Sequence, residues 1–128
     1  MLATELIMDL TNEQGNGRES QVQPPREVWE QFFGVSITGK IRPTFRLQNL
    51  TSESIPEQRK VVKHHHNLTI EVGGAKPPRP AILRMRRTGH NSFDYWVYRP
   101  SSMAYRHCDW ILKNLTTDVF TDRRWIII

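Results

Sequence analysis

Arginines and large aromatic residues alternate along two neighbouring segments in the second half of the chain, AILRMRR (81–87) and FDYWVYR (93–99). Both segments alternate between apolar and polar residues, and the turn-forming residues TGHNS separate them, so they predict a β-hairpin. Guanidinium groups form paired hydrogen bonds with phosphate oxygens or guanine edges, and exposed aromatic rings stack on unpaired bases. These residue types within one hairpin indicate a nucleic-acid-binding surface.

The pairing register of this hairpin decides which side chains share a face. A symmetric loop places Arg87 opposite Phe93, and a shift of one residue would exchange the two faces. The structural alternative is therefore that Trp96 packs beneath a helix and that the arginines form an ordinary solvated face. In the symmetric register the core face carries Leu83, Met85, Tyr95 and Val97, and the other face carries Ile82, Arg84, Arg86, Asp94, Trp96 and Tyr98.

The predicted nucleic-acid site extends slightly beyond the hairpin strands. Two cations stand in the connector GGAKPPRP (73–80) before the hairpin, and one histidine stands in the turn. The cations would neutralise phosphates, while the two aromatic residues of the non-core face would stack or pack on bases. The predicted nucleic-acid-binding residues are Lys76, Arg79, Arg84, Arg86, Arg87, His90, Trp96 and Tyr98.

Three consecutive histidines (64–66) raise the question of a metal site. In a strand, His64 and His66 point to the same side, which suits a pair of metal ligands. Structural zinc needs four ligands and catalytic zinc usually three, and no Cys-x-x-Cys or His-Glu-x-x-His accompanies the run. The alternative is a polar strand edge beside Lys63. We therefore expect no metal and no cofactor, with His64 and His66 as the only candidates.

His107, Cys108 and Asp109 resemble a nucleophilic triad written in a row. Neighbouring helix positions point about 100° apart, so these side chains cannot share one site. Cys108 lies on the apolar stripe of its helix and is better explained as a small core residue. Because carboxylates are also sparse in the strands, we expect no catalytic residue and favour a protein that is not an enzyme.

Charge is distributed unevenly along the 128 residues, whose formal net charge is +5. Residues 1–34 hold six acids and two arginines, whereas residues 35–128 hold sixteen Lys/Arg and seven acids. A strongly basic region attracts polyanions. The single cysteine excludes an internal disulfide, and neither a secretory signal nor a long apolar run is present. We therefore expect an intracellular protein with no membrane partner, in a prokaryotic cytoplasm or, if viral, inside a host cell.

The pattern of elements predicts a flexible segment followed by one folded domain. Residues 1–25 are predicted to form a flexible segment, with a short helix at 3–10 and a polar linker. Residues 26–128 are predicted to form a single basic α+β domain. Within the domain, Pro25 and Gly34 bracket a helix over 26–33, and a second helix occupies 102–115, with Tyr105, Cys108, Leu112 and Leu115 on one face.

Period-two alternation predicts the strands. They occupy 35–41, 44–50, 60–72, the two arms of the hairpin and the C-terminal run VFTDRRWIII, whose apolar end suggests burial on both faces. Short connections between strands favour a mainly antiparallel sheet of five or six strands with one or two helices packed on it, with a partly closed barrel as a variant.

Three functions are compatible with these features. The first is a non-catalytic nucleic-acid-binding module, for DNA rather than RNA, acting as a recognition or accessory unit of a larger assembly. The second is a protein-interaction adaptor, such as a viral or phage accessory factor, because Trp, Tyr and Arg also dominate interface hot spots. The third is a small metal-dependent nuclease that uses the histidines.

Overall fold

The fold is α+β, as the sequence predicts. The computed structural model describes residues 1–10, 20–64, 67–76, 79–115 and 124–128, and only the backbone of His64. An α-helical turn, α1, continues directly into a π-helical segment, and a longer helix, α2, follows the hairpin. The elements are β1 (Glu5–Leu10), β2 (Gln21–Val22), α1 (Arg26–Val28) with the π-helical segment Trp29–Phe33, β3 (Thr44–Asn49), β4 (Glu57–Lys60), β5 (Val62–His64), β6 (Asn67–Glu71), β7 (Ala81–Gly89), β8 (Ser92–Tyr98), α2 (Met103–Leu115) and β9 (Trp125–Ile127).

Two sheets form the framework. The larger sheet has six strands in the order β4-β3-β8-β7-β1-β9, and all neighbours are antiparallel except the parallel pair β3 and β8. The smaller sheet is antiparallel, in the order β2-β6-β5. The prediction of a mainly antiparallel sheet with few helices is confirmed, and the sheets do not close into a barrel within the described residues.

The β7–β8 hairpin has the predicted register. Arg87 pairs with Phe93, and Arg84 pairs with Trp96. The ladder continues past a bulge between Arg87 and Gly89 to a final pair of Gly89 with Ser92. Strand β7 is thus longer than the predicted segment 81–87, whereas β8 keeps the predicted length and begins one residue earlier.

An aromatic core covers the inner face of the large sheet. Trp29, Phe32 and Phe33 of the helical segment are buried, together with Phe45 of β3 and Phe93 of β8. Neighbouring rings among them have centroids 4.9 to 5.4 Å apart. Fully burying one such side chain stabilises a fold by about 1.5–3 kcal/mol, so this cluster fixes the helical segment against the strands.

Helix α2 covers part of the outer face of the same sheet. Cys108 and Leu112 pack against Ile7 of β1 and Ile82 of β7, and all four are buried. The Ser102 hydroxyl accepts a hydrogen bond from the Tyr105 amide at 3.1 Å, which caps the first turn. Leu115, predicted to share this apolar face, is instead 53% exposed. Neither described helix is long and apolar enough to cross a membrane.

The prediction of a helix over residues 3–10 is wrong. These residues form β1, which lies between β7 and β9 in the large sheet. Leu6, Ile7 and Met8 are all buried because the strand has the aromatic core on one face and α2 on the other. Residues 5–10, assigned to a flexible segment by the sequence, therefore belong to the sheet, whereas residues 11–19 of the predicted linker lie outside the described residues.

Three further predictions need correction. Residues 35–41 form no strand: a turn closes between Ser36 and Gly39, and Ile41 is 89% exposed. The region 60–72 is divided among β4, β5 and β6, and Gln21–Val22 of the predicted linker forms β2. The C-terminal strand spans only Trp125–Ile127 among the described residues, and its side chains are partly exposed because it lies at a sheet edge.

Candidate nucleic-acid interface

The outer face of the large sheet is covered by α2 only in part. The helix lies over β1, β7 and β9, whereas the surface of β3 and β8 extends beyond it. Register places Arg46 beside Ser92, Gln48 beside Asp94, and Trp96 beside Arg84 on this side. We call the uncovered surface the open face; its side chains are Arg46, Gln48, Arg84, Arg86, Asp94 and Trp96.

Two arginines flank one tryptophan on the open face. The guanidinium carbon of Arg84 lies 4.8 Å from the Trp96 ring centroid, and that of Arg86 lies 5.3 Å from it. A guanidinium at this distance is attracted by the negative face of the indole ring. We call these three residues the arginine platform. Trp96 is half-buried beneath its neighbours, so the ring supports the two cations.

Carboxylates orient both arginines of the platform. The Nε of Arg84 donates to Glu5 at 2.5 Å, and an Nη of Arg86 donates to Asp94 at 3.2 Å. A hydrogen bond with Tyr98 is the main cause that raises the pKa of Arg84 above its ordinary value, and Glu5 adds to it. Arg84 therefore stays charged, and the two carboxylates set the orientations of both arginines before any ligand arrives.

Arg46 and Lys60 add excess positive charge on the same side of the large sheet as the platform. Arg46 stands on β3 next to β8, and Lys60 stands on β4 opposite Thr44. Both side chains are exposed, and neither forms an ion pair with any described residue. The sequence analysis did not select them, because only the parallel pairing of β3 with β8 brings Arg46 to the side of Trp96.

Arg87 lies apart from the platform, on the inner side of the hairpin. Its guanidinium carbon is 4.7 Å from the Phe93 ring centroid and 5.8 Å from that of Phe32. An Nη also donates to the Phe32 carbonyl near the end of the π-helical segment. Burial lowers the pKa of Arg87. Arg87 thus joins the helical segment to the hairpin, and its predicted phosphate binding stays a prediction.

The connector before the hairpin packs on the inner side at Gly74 and Ala75. Gly74 packs against Val97, whose side chain belongs to the inner core. Arg79 donates from Nε and Nη to the Ala75 carbonyl at 3.1 and 3.0 Å. Lys76 is exposed, as is His90 in the hairpin turn. The structure therefore does not bring Lys76 and Arg79 together with the arginine platform.

Tyr98 borders α2. It is half-buried and packs against the cluster beneath the helix, next to the fully buried Ile82. Its hydrogen bond with Arg84 connects it to the platform. Tyr98 is thus placed to hold Arg84, and little of its ring faces solvent.

The histidine and cysteine predictions have separate outcomes. The side chain of His64 and all of His66 lie outside the described residues, so the metal-ligand hypothesis stays a prediction. Among the residues that the structure does describe, no three His, Cys, Asp or Glu side chains form a metal-ligand group. Cys108 is buried beneath α2 and burial raises its pKa, whereas His107 is exposed.

A second basic surface, not selected by the sequence analysis, lies on α2. Trp110 is 60% exposed, with cations three and four positions away along the helix. Helical periodicity was the signal that could have revealed this surface. Its cations and Trp110 recur every three or four positions, on a different side of the helix from the buried Cys108 and Leu112. We call this surface the outer face of α2; it consists of Met103, Arg106, His107, Trp110, Lys113 and Asn114.

Comparison with known proteins adds a likeness of fold. No family model and no curated protein matches the sequence. Among solved structures, the N-terminal domain of Helicobacter pylori LlaJI.R1 superposes with a TM-score of 0.69 over 97% of each chain, at 8% sequence identity. The two chains have similar folds. The likeness covers nearly the whole of both chains, so the two sheets and their helices form an arrangement that another protein also adopts.

Proposed function

We propose that this chain is a non-catalytic DNA-binding module, which serves as a recognition or accessory unit of a larger assembly. The observation that carries the proposal is the arginine platform, in which Arg84 and Arg86 flank Trp96 on the open face. The chain shares its fold with the N-terminal domain of LlaJI.R1, whose name is of the type given to restriction proteins. This likeness is compatible with a DNA-related module.

Phosphate binding by the platform follows from the donors that remain on its arginines. A guanidinium carries five N–H groups. Glu5 accepts a hydrogen bond from the Nε of Arg84, and Asp94 accepts one from an Nη of Arg86. Further N–H groups of both side chains are left for phosphate oxygens. Because the ring and the carboxylates already restrict the two arginines, less conformational entropy is lost on binding.

Net attraction to DNA comes from the cations around the platform. Glu5 and Asp94 offset the charges of Arg84 and Arg86, so the platform contributes geometry more than net charge. The charges of Arg46 and Lys60 are not offset by a described acid. These two side chains would contact phosphates along the same DNA strand. Phosphate contacts of this kind fix the position of a protein on the DNA backbone and carry no sequence information.

A titration with matched variants tests the proposal. The probe is a fluorescein-labelled 20-base-pair DNA duplex, followed by anisotropy at low salt. The test variant is Arg84→Ala with Arg86→Ala, and the control is Arg26→Ala with Lys63→Ala, which removes the same charge elsewhere. We expect the test variant to lose at least about tenfold in affinity and the control about threefold or less.

Two results would contradict the proposal. Equal losses in the two variants would mean that net charge alone attracts DNA, and no binding of the natural sequence at low salt would remove the function. The same titration with RNA duplex and single-stranded DNA decides the ligand class, and we expect the DNA duplex to bind most tightly.

A further inference from the structure

The outer face of α2 is an exposed arc that the sheet does not use. Cys108 and Leu112 point into the sheet, and the arc lies on the opposite side of the helix. Trp110 occupies its centre, and Met103, seven positions earlier, is 83% exposed. Because the helix packs on the outer face of the large sheet, this arc and the arginine platform lie on the same side of that sheet.

The charge of this arc is exclusively positive or neutral. Arg106 and Lys113 are exposed and flank Trp110 in the helix, and none of the six described side chains of the arc is a carboxylate. The acid of the helix, Asp109, is engaged by Arg124 at 2.6 Å. An arc of this composition is complementary to a polyanion.

The dimensions of α2 fit the major groove of duplex DNA. Its 13 residues extend about 20 Å at about 1.5 Å per residue. The major groove is about 12 Å wide, and a helix with its side chains is about 10–12 Å across. Arginine and lysine bind guanine edges there, and apolar side chains contact the thymine methyl group.

We infer that α2 enters the major groove of duplex DNA while the arginine platform contacts the adjoining phosphates. The inference rests on the proposed function and adds to it the groove and the residues that face the bases. Arg106 and Lys113 contact base edges or the phosphates at the groove rim. Trp110 packs against the bases at the centre of the groove.

The first experiment compares variants of α2 on the same labelled duplex. Arg106→Ala with Lys113→Ala is expected to lose at least about tenfold in affinity, and Trp110→Ala at least about fivefold. The charge-matched control is again Arg26→Ala with Lys63→Ala. Because the three α2 side chains are exposed, melting temperatures within about 3 °C of the natural protein are expected, and they verify that the fold is retained.

The second experiment blocks one groove at a time in the natural protein. One probe is a 20-base-pair duplex whose cytosines are replaced by glucosylated 5-hydroxymethylcytosine, which fills the major groove with sugar. The other is an A·T-rich duplex saturated with distamycin, which fills the minor groove. Affinity should fall at least about tenfold on the glucosylated duplex and stay within about twofold on the distamycin-bound one.

The outcomes separate this inference from the proposed function. If Arg84 and Arg86 prove necessary but the α2 variants match the control and glucosylation has no effect, the groove assignment fails and the DNA-binding function stands. That result would favour docking of α2 to a protein with an acidic, apolar cleft. A loss of affinity with distamycin would also overturn the groove assignment, and no binding to any duplex would overturn both proposals.

Discussion

Arg84 and Trp96 face each other directly across the β7–β8 ladder, with the guanidinium carbon 4.8 Å from the ring centroid. A ring face occupied by a guanidinium is not open to a nucleic-acid base at the same time. Stacking of Trp96 on bases stays a prediction, and these contacts favour the alternative that the ring supports two cations. The same geometry favours contacts to the phosphates of a duplex over stacking with single strands.

Trp96→Ala should lower DNA affinity more than it lowers stability. Each exposed cation–π contact contributes about 0.5–1 kcal/mol, so loss of both should weaken binding by about five- to thirtyfold. Phe93→Ala provides the comparison at a fully buried position, where a loss of about 3–5 kcal/mol should lower the melting temperature by roughly 10 °C or more. A large fall in melting temperature for Trp96→Ala, with unchanged affinity per folded molecule, would show that the ring is structural.

Arg84→Lys should fail to preserve binding. Lysine keeps the charge but lacks the planar fork that both stacks on Trp96 and bonds Glu5. Lys60→Arg, at an exposed position without a described ion pair, is the reverse exchange and should leave affinity within about twofold. Equal affinities for Arg84→Lys and the natural protein would indicate that only the charge of Arg84 matters.

Arg87→Ala should destabilise the fold without changing DNA affinity. The side chain donates to the Phe32 carbonyl and lies over the Phe93 ring, so its removal should cost about 1.5–3 kcal/mol. Thermal melting and a DNA titration of the folded fraction measure the two effects. A loss of DNA affinity at an unchanged melting temperature would contradict this prediction and show that Arg87 belongs to the binding surface.

Stability should fall as pH rises above about 9. Burial raises the pKa of Cys108 above its ordinary value of 9.0 and raises the pKa values of Tyr95 and Tyr105 above 10.0. The unfolded chain loses these protons first, so their contribution is complete below the unfolded pKa and is lost as pH rises through the folded pKa. Urea titrations between pH 7 and 10.5 measure the free energy of unfolding. Above pH 9, Cys108→Ala should make the fall of this free energy with pH less steep. A free energy of unfolding that stays constant or rises would contradict the assignment.

The sequence was most informative where pattern and turn agreed. Alternation in β7 and β8 fixed the faces of both strands, and the pairing of Arg84 with Trp96 followed from a symmetric loop. The helical segment at 26–33 was also predictable, because Pro25 and Gly34 bracket it. Gly34 has a φ of 73°, the left-handed conformation that commonly ends a helix and that glycine adopts without strain.

The sequence was least informative where long-range packing decides the structure. Strand β1 is buried on both faces, so Leu6, Ile7 and Met8 form a continuous apolar run that does not distinguish a strand from a helix. The parallel pairing of β3 with β8, which brings Arg46 to the open face, has no local signal either. Both features depend on contacts between residues far apart in the chain.

The salt dependence of duplex binding by the natural protein tests the central claim most directly. If about four cations contact phosphates, the slope of log K against log salt should be about −3.6, so affinity should fall by roughly a hundredfold between 50 and 200 mM salt. Anisotropy titrations of the labelled 20-base-pair duplex over this range provide the measurement. A steep, linear loss is the expected result. Absence of binding at 50 mM salt, or an affinity that does not change with salt, would contradict DNA binding through the arginine platform.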